Sequence, residues 1–174
     1  YDQFFLSVNY AKRRVLLIGT DPGVTAQLNG GTHMPFEDVG LMRLIPDLII
    51  LDPSDTQSCY ELVRQAYESG HSSYTRIRRK GATHRYPVGT KIELGKGIVV
   101  REGSDLTIVA TGETMMDQAE KACDILTAKG IKARLIDLHT IKPLDTDIIE
   151  KAARETGRIL VCENARYAGG VGEA

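Results

Sequence analysis

The stretch Gly19-Thr20-Asp21-Pro22-Gly23-Val24-Thr25-Ala26-Gln27-Leu28-Asn29-Gly30-Gly31-Thr32-His33 holds most of the chain's candidate chemistry. It is a glycine-rich loop directly after the apolar run Val15-Leu16-Leu17-Ile18, and α/β folds place ligands on loops that leave the carboxyl ends of buried parallel strands. His33 closes the loop. A histidine beside Asp21 and Asn29 can pass a proton near neutral pH or hydrogen-bond a polar substrate. It can equally do no more than cap a helix opening at Pro35-Phe36-Glu37-Asp38, and the residues alone leave both readings open. Further on, Arg76, Arg78, Arg79 and Lys80 put four cations in five residues at a strand end. Such a group suits a phosphate or carboxylate, which Arg grips through two parallel bonds; a solvated basic edge is the alternative.

Other polar residues read as bystanders. His71 and His84 sit in polar loops and His139 follows a strand. Asp55 with Glu61, and Glu150 with Glu155, lie on helices as surface charge. The run Ala168-Gly169-Gly170-Val171-Gly172 has the glycines of a phosphate-binding turn without the full dinucleotide fingerprint, and reads as a tight strand-to-helix connection. Cys59, Cys123 and Cys162 are odd in number, without paired or CxxC spacing, and sit among apolar neighbours. They read as reduced, buried thiols, which with no signal peptide points to a cytoplasmic protein.

The elements that must position these residues alternate between short β-rich runs and helical patterns, the signature of parallel sheets covered by helices. Strands are expected over Arg14–Gly19, Leu48–Leu51 and Tyr74–Arg78, and a helix capped by Ser54 or Asp55 over residues 56–68, with Cys59, Leu62, Val63, Ala66 and Tyr67 on one stripe. Residues 80–100 turn to Gly, Pro, Lys and Arg without helical period. They read as a linker closing in a hairpin over Lys91–Val100. Beyond it come strand Leu106–Ala110, helix Thr114–Lys129, strand Ala133–Asp137, helix Asp145–Thr156 and strand Arg158–Cys162, the two helices ending at Gly130 and Gly157. The boundaries expected are 1–82 for a first α/β unit, 83–100 for the linker and 101–174 for a second. The first unit is short of strands for a complete domain, and the chain, which opens at Tyr1 and stops in a glycine turn, reads as part of something longer.

Composition narrows the function. The 22 Lys and Arg balance 23 Asp and Glu, and 42% of residues are hydrophobic, an ordinary globular profile with no electrostatic claim on nucleic acid. The longest apolar runs fall far short of the roughly 20 residues a membrane span requires.

Taken together, these residues resemble the transketolase family of thiamine diphosphate enzymes over nearly the whole chain. Tyr1-Asp2-Gln3, the loop ending Gly30-Gly31-Thr32-His33, and Phe36-Glu37-Asp38-Val39-Gly40-Leu41-Met42-Arg43 with Pro46 are similar to the second half of the family's pyrimidine-binding domain. Asp137-Leu138-His139-Thr140-Ile141-Lys142-Pro143-Leu144-Asp145 resembles its C-terminal domain, a three-layer α/β unit. That run, followed by Gly169-Gly170-Val171-Gly172, is most similar to split transketolases whose C-terminal half is a separate subunit.

The resemblance implies transfer of a two-carbon ketol unit between sugar phosphates, with the carbanion chemistry carried by the cofactor. By position, His33 matches the family histidine that hydrogen-bonds the substrate near the thiazolium carbon. Arg79 matches the arginine that grips the sugar phosphate, with Arg76 or Arg78 as helper. Asp21 and Asn29 match substrate-reading positions and depart from the usual pattern. An aspartate at 21 is more like deoxyxylulose phosphate synthases, and an amide at 29 replaces an ionised acceptor, which changes the favoured hydroxyl pattern. The cofactor's own ligands are expected upstream of Tyr1, so thiamine diphosphate and Mg2+ belong to the assembled enzyme, with neither held tightly by this chain and no metal site within it. The implied partner is an N-terminal subunit or section, in a homodimer or heterotetramer. The competing readings are another thiamine diphosphate enzyme and a non-catalytic dimerisation or regulatory module.

Overall fold

A computed structural model describes residues 1–174. Two four-stranded sheets form its frame. The first contains β1 (Leu16–Thr20), β2 (Ile49–Leu51) and β3 (Ser73–Ile77), with α1 (Asp38–Arg43) before β2 and α2 (Thr56–Glu68) crossing over between β2 and β3. The second contains β4 (Ile98–Arg101), β5 (Leu106–Ala110), β6 (Ala133–Asp137) and β8 (Ile159–Cys162). Its helices are α3 (Gly112–Ala128) between β5 and β6, and α4 (Thr146–Thr156) before β8. The remaining strand, β7 (Thr140–Lys142), leaves the second half of the chain and pairs antiparallel with β2, so the first sheet runs β1-β3-β2-β7.

Each element follows from local chemistry. The run Ile49-Ile50-Leu51 is buried throughout, as the middle of a sheet covered on both faces requires. Asp55 starts α2: its carboxylate accepts from the Ser58 amide at 2.7 Å, and the Ser58 hydroxyl accepts in return from the Asp55 amide at 3.0 Å. Of the expected stripe, Leu62 and Ala66 are buried, while Tyr67 is exposed and its ring carries the Arg14 guanidinium 4.8 Å from its centroid. Gly157 ends α4 in the left-handed conformation expected of it.

Two expectations need correction. No hairpin forms over Lys91–Val100. The Gln65 side-chain amide donates to Ile92 O at 2.6 Å and accepts from Leu94 N at 3.0 Å, so a helix side chain takes the backbone groups a first strand would have paired. Only β4 forms, and it pairs antiparallel with β6. The helix expected at Pro35 begins at Asp38 instead, because residues 34–37 are irregular backbone between His33 and α1.

The two halves share one core. The largest cluster of buried apolar residues draws Val39, Ile45, Leu48, Ile50 and Tyr74 from the first half and Val109, Ile136, Leu138, Ile141 and Val171 from the second. Separate clusters lie under α3 (Met116, Ala119, Cys123) and α2 (Leu62, Ala66, Ile92). All three cysteines are free thiols; Cys123 is buried, Cys59 and Cys162 half-buried, and burial pushes each thiol up from its ordinary range.

Candidate functional site

Strand register brings the polar loops together. β1 and β3 are parallel neighbours with Thr20 opposite Ile77, so the loop after β1 and the cation run after β3 leave the sheet side by side at its carboxyl edge. Asp21 turns the chain there with φ of 57°, a left-handed conformation that aspartate tolerates better than most residues. Its amide donates to Ile77 O at 2.8 Å. Its Oδ1 accepts from the Arg79 amide at 2.9 Å and its Oδ2 lies 3.0 Å from Arg79 Nε. A side-on contact of this kind fixes the arginine while leaving both terminal Nη groups without a protein partner. With its side chain 60% exposed, Arg79 presents that pair of donors to solvent.

These groups line an open cleft of about 480 Å³ bounded by Asp21, Leu28, Asn29, Arg79, Lys80 and, from the start of α3, Thr114. Asp21, Asn29 and Arg79 therefore share one site. His33 does not line it; the ring is exposed on the short 3-10 turn Gly31–His33, with Nδ1 2.9 Å from the Thr32 hydroxyl. Arg78 borders the cleft but is committed elsewhere, to Glu113 at 2.5 Å and Asp117 at 3.4 Å on α3 and to Gly81 O.

Arg76 is a correction. Only 1% exposed, it points into the protein and not toward the cleft. Nε lies 2.9 Å from Asp38 Oδ2, Nη1 donates to Asp52 Oδ2 at 3.0 Å, and Nη2 donates to Asn164 O at 2.7 Å. Tyr74 OH also donates to Asp38, at 2.7 Å. Burial raises the Asp52 carboxyl against the pull of Arg76, and burial with the Asp38 charge raises the Tyr74 hydroxyl. Held between Asp38, Asp52 and the Asn164 carbonyl, the guanidinium does not reach the cleft that Asp21 and Arg79 line.

A second buried polar group joins the halves. Asp137, at the end of β6, accepts from Ser54 Oγ and, at 2.7 Å, from Tyr86 OH. Burial pushes its carboxyl up to about 6. Arg85, in the connecting segment, donates to Ser54 O and grips Asp117 and Glu120 at 3.0 and 2.9 Å, making that segment a strap across the seam. His139 is fully buried beside Thr140, and burial pushes its imidazole down to about 4.

The glycine turn near the end is closed to outside anions. Glu163 Oε2 accepts from Val171 N at 2.7 Å and Oε1 from Gly172 N at 3.0 Å, so an internal carboxylate fills the space an incoming oxoanion would take. Asn164, beside it, is a site neighbour that residue type and spacing did not single out. A signal for it exists: Glu163-Asn164 is a polar pair directly after a strand, at the edge where such sheets gather ligand-facing residues.

Comparison with known proteins agrees with this architecture. Residues 1–83 match the model for the transketolase pyrimidine binding domain and residues 95–174 the model for the transketolase C-terminal domain. The chain belongs to the transketolase family, as a C-terminal section carrying both of these domains. It is 40% identical over 173 residues to the 6-deoxy-6-sulfo-D-fructose transketolase subunit of a Clostridium species, covering 99% of this chain and 53% of that one. It is 34% identical to one of the subunits of the apulose-4-phosphate transketolase of Phocaeicola vulgatus, covering 98% of this chain and 55% of that relative. It is 37% identical to a 1-deoxy-D-xylulose-5-phosphate synthase of Heliobacterium modesticaldum, covering all of this chain but 27% of the relative. Among solved structures, a split-gene transketolase described as an inactive β4 tetramer superposes with a TM-score of 0.89 at 32% identity, covering 99% of this chain and 55% of that one. The chain thus spans about half the length of the split-subunit relatives.

The family depends on thiamine diphosphate. The cleft does not fit that cofactor: its wall has no aromatic side chain to cover an aminopyrimidine, and no group of three or more His, Cys, Asp or Glu stands where a metal ion could be held. Its donors fit a small anionic head on a polar chain.

Proposed function

We propose that this chain is the C-terminal part of a transketolase that moves a two-carbon ketol unit between anionic sugars once joined to an N-terminal section. In that assembly thiamine diphosphate, with Mg2+, supplies the carbanion chemistry from residues outside this chain. The observation that carries the reading is the cleft at the β1 and β3 exits, where Asp21 holds Arg79 by Nε and its amide and leaves two parallel Nη donors facing open space. A tetrahedral oxoanion accepts from such a pair. Lys80 adds charge, and Asn29 offers an amide that can donate to or accept from a sugar hydroxyl. His33, exposed on the following turn, supplies hydrogen bonding or proton transfer at the reacting carbon when the assembled site closes around it.

The relatives widen the substrate class. One is named for a 6-sulfonated ketose and one for a 4-phosphorylated sugar, so the shared feature is a terminal oxoanion and not phosphate as such. A second reading, deoxyxylulose phosphate synthesis, is favoured by Asp21 and by the synthase relatives. Fold retention without catalysis is disfavoured by the presence of His33 and Arg79 at the positions the family resemblance gives them.

The test is a coupled ketol-transfer assay on the chain alone and with its N-terminal counterpart, with thiamine diphosphate and Mg2+, offering xylulose 5-phosphate or 6-deoxy-6-sulfofructose as donor and ribose 5-phosphate as acceptor. Turnover with either donor in the mixture, and none with the chain alone, is the expected result. Formation of deoxyxylulose phosphate in place of ketol transfer establishes the synthase reading. No turnover of any kind favours the non-catalytic one.

A further inference from the structure

We propose that Asn164 is a positioning residue for the glycine-rich loop: through this side chain the second half of the chain sets the geometry of the loop that carries Asp21 and Asn29. The role rests on the reading of that loop as the substrate loop. Asn164 is 6% exposed and makes three hydrogen bonds, two with the loop and one with β3. Its Oδ1 accepts from Val24 N at 3.1 Å and its Nδ2 donates to Pro22 O at 2.8 Å, across some 140 residues of sequence. Its backbone carbonyl accepts from Arg76 Nη2 at 2.7 Å. The side-chain amide thus completes two backbone groups on either side of Gly23 in the loop that carries Asp21 and Asn29.

Two features show that the contact is built and not incidental. Gly23 lies at φ +51°, and a Cβ there would overlap the Asn164 amide group, so the loop comes as close to Asn164 as glycine permits. The segment bearing Asn164 is also anchored along its length. Arg166 N donates to Phe36 O at 2.9 Å, and Arg43 Nη1 donates to Gly169 O and Gly170 O at 2.6 and 2.7 Å. Glu163 closes the following turn from within. Gly40 and Gly169 cross backbone to backbone. Residues 163–172 therefore form a strap over the first half of the chain, with the asparagine aimed at the loop. The chemistry asks for an amide: one donor and one acceptor are used together, which aspartate and alanine cannot supply. Pro22 O also accepts from Thr25 N at 3.2 Å and Thr25 Oγ1 at 2.6 Å, so the larger loss falls on the Val24 amide.

Hydrogen exchange on the full chain tests the clamp without reference to activity. In Asn164→Ala, exchange over residues 22–33 should accelerate about tenfold, the effect of losing a buried hydrogen-bonded partner, with α2 and α3 unchanged. Asn164→Asp keeps the acceptor for Val24 N, loses the donor to Pro22 O, and should fall between. Unchanged exchange over 22–33 in both variants, or equal acceleration in the loop and both helices, overturns the proposal. In the assembled enzyme, Asn164→Asp should raise KM for the anionic donor sugar about fivefold, by more than it lowers kcat. A purely structural role lowers the active fraction and leaves KM where it was, which would overturn positioning. Faster loop exchange with unmoved KM likewise overturns positioning of the cleft, leaving Asn164 a structural contact only; turnover absent even in the wild-type assembly is a failure of the proposed function alone.

Discussion

Arg76 and Arg79 stand three residues apart and occupy opposite environments. Arg76 lies within β3, on the side of the strand that faces the seam between the two halves. Two carboxylates and a carbonyl surround its guanidinium. Arg79 lies past the end of the strand, where one carboxylate takes its Nε and the rest of the group faces solvent. The seam is a place where charge is buried and paired; the cleft is one where charge is held and left facing solvent. A run of cations in a sequence does not separate these two uses. Strand alternation and the point at which the strand stops do.

The largest effect should come from breaking the seam. Replacing Arg76 by Met leaves the buried Asp52 and the half-buried Asp38 without their counter-charge, and truncating one member of a buried ionic group costs about 3–5 kcal/mol. Urea unfolding should show that loss for Arg76→Met and almost none for Arg79→Ala. Similar losses in both would mean that the contrast in burial carries no energetic weight.

Next in size is His33. Exposed and bonded only to its neighbour Thr32, it contributes little to folding. In the assembled enzyme His33→Ala should cost about 2–4 kcal/mol of transition-state stabilisation in kcat/KM, with unchanged unfolding. Wild-type kcat/KM would remove it from the reaction.

The seam should also answer to pH. The Asp137 carboxyl sits at about 6 when folded, above its ordinary value of 3.8, because burial opposes its charge. The folded state therefore holds the proton more tightly than the unfolded state. The stability this confers is fully present below about pH 4 and is lost as pH rises through 6. A rise of that size in a carboxyl's affinity for its proton corresponds to about 3 kcal/mol as an upper figure. Asp137→Asn, which keeps an acceptor for Ser54 or Tyr86, should flatten that component. The wild-type minus variant stability should fall as pH rises from about 4 to above 7, the window that brackets the two carboxyl values; a difference that is constant with pH would show Asp137 ionised throughout.

Much of this was legible in the sequence, for identifiable reasons. Buried strands such as Ile49-Ile50-Leu51 and the Asp55 cap announce themselves through apolar continuity and a short side chain at a helix start, both local properties. Asp21, Asn29 and Arg79 are singled out as site residues by position in the family resemblance, and the structure places them around one cleft because loops that leave neighbouring parallel strands meet at one edge. The rest depended on partners far away in sequence. Gln65 dissolves the hairpin at 91–94, β7 leaves its own half to pair with β2, and Asn164 reaches back to Pro22. No periodicity or motif encodes such contacts.

The smallest expected effect is also the most discriminating one. If the cleft holds the charged end of the substrate, Arg79→Ala removes an interaction made alike in the ground state and the transition state. Binding of that kind appears in KM and not in kcat. A charge-assisted pair of hydrogen bonds at an open site corresponds to about a tenfold rise in KM for a phosphorylated or sulfonated ketose, near 1.4 kcal/mol. A ketose without a terminal oxoanion has nothing to lose and should keep its KM. Asp21→Asn leaves Arg79 charged but weakens the hold on its Nε, so its effect should be smaller and confined to the same substrates. Equal losses on charged and uncharged sugars would mean that Arg79 orders the loop and not the ligand. The cleft would then resemble the seam, and the phosphate site would have to be sought at residues supplied by the N-terminal section.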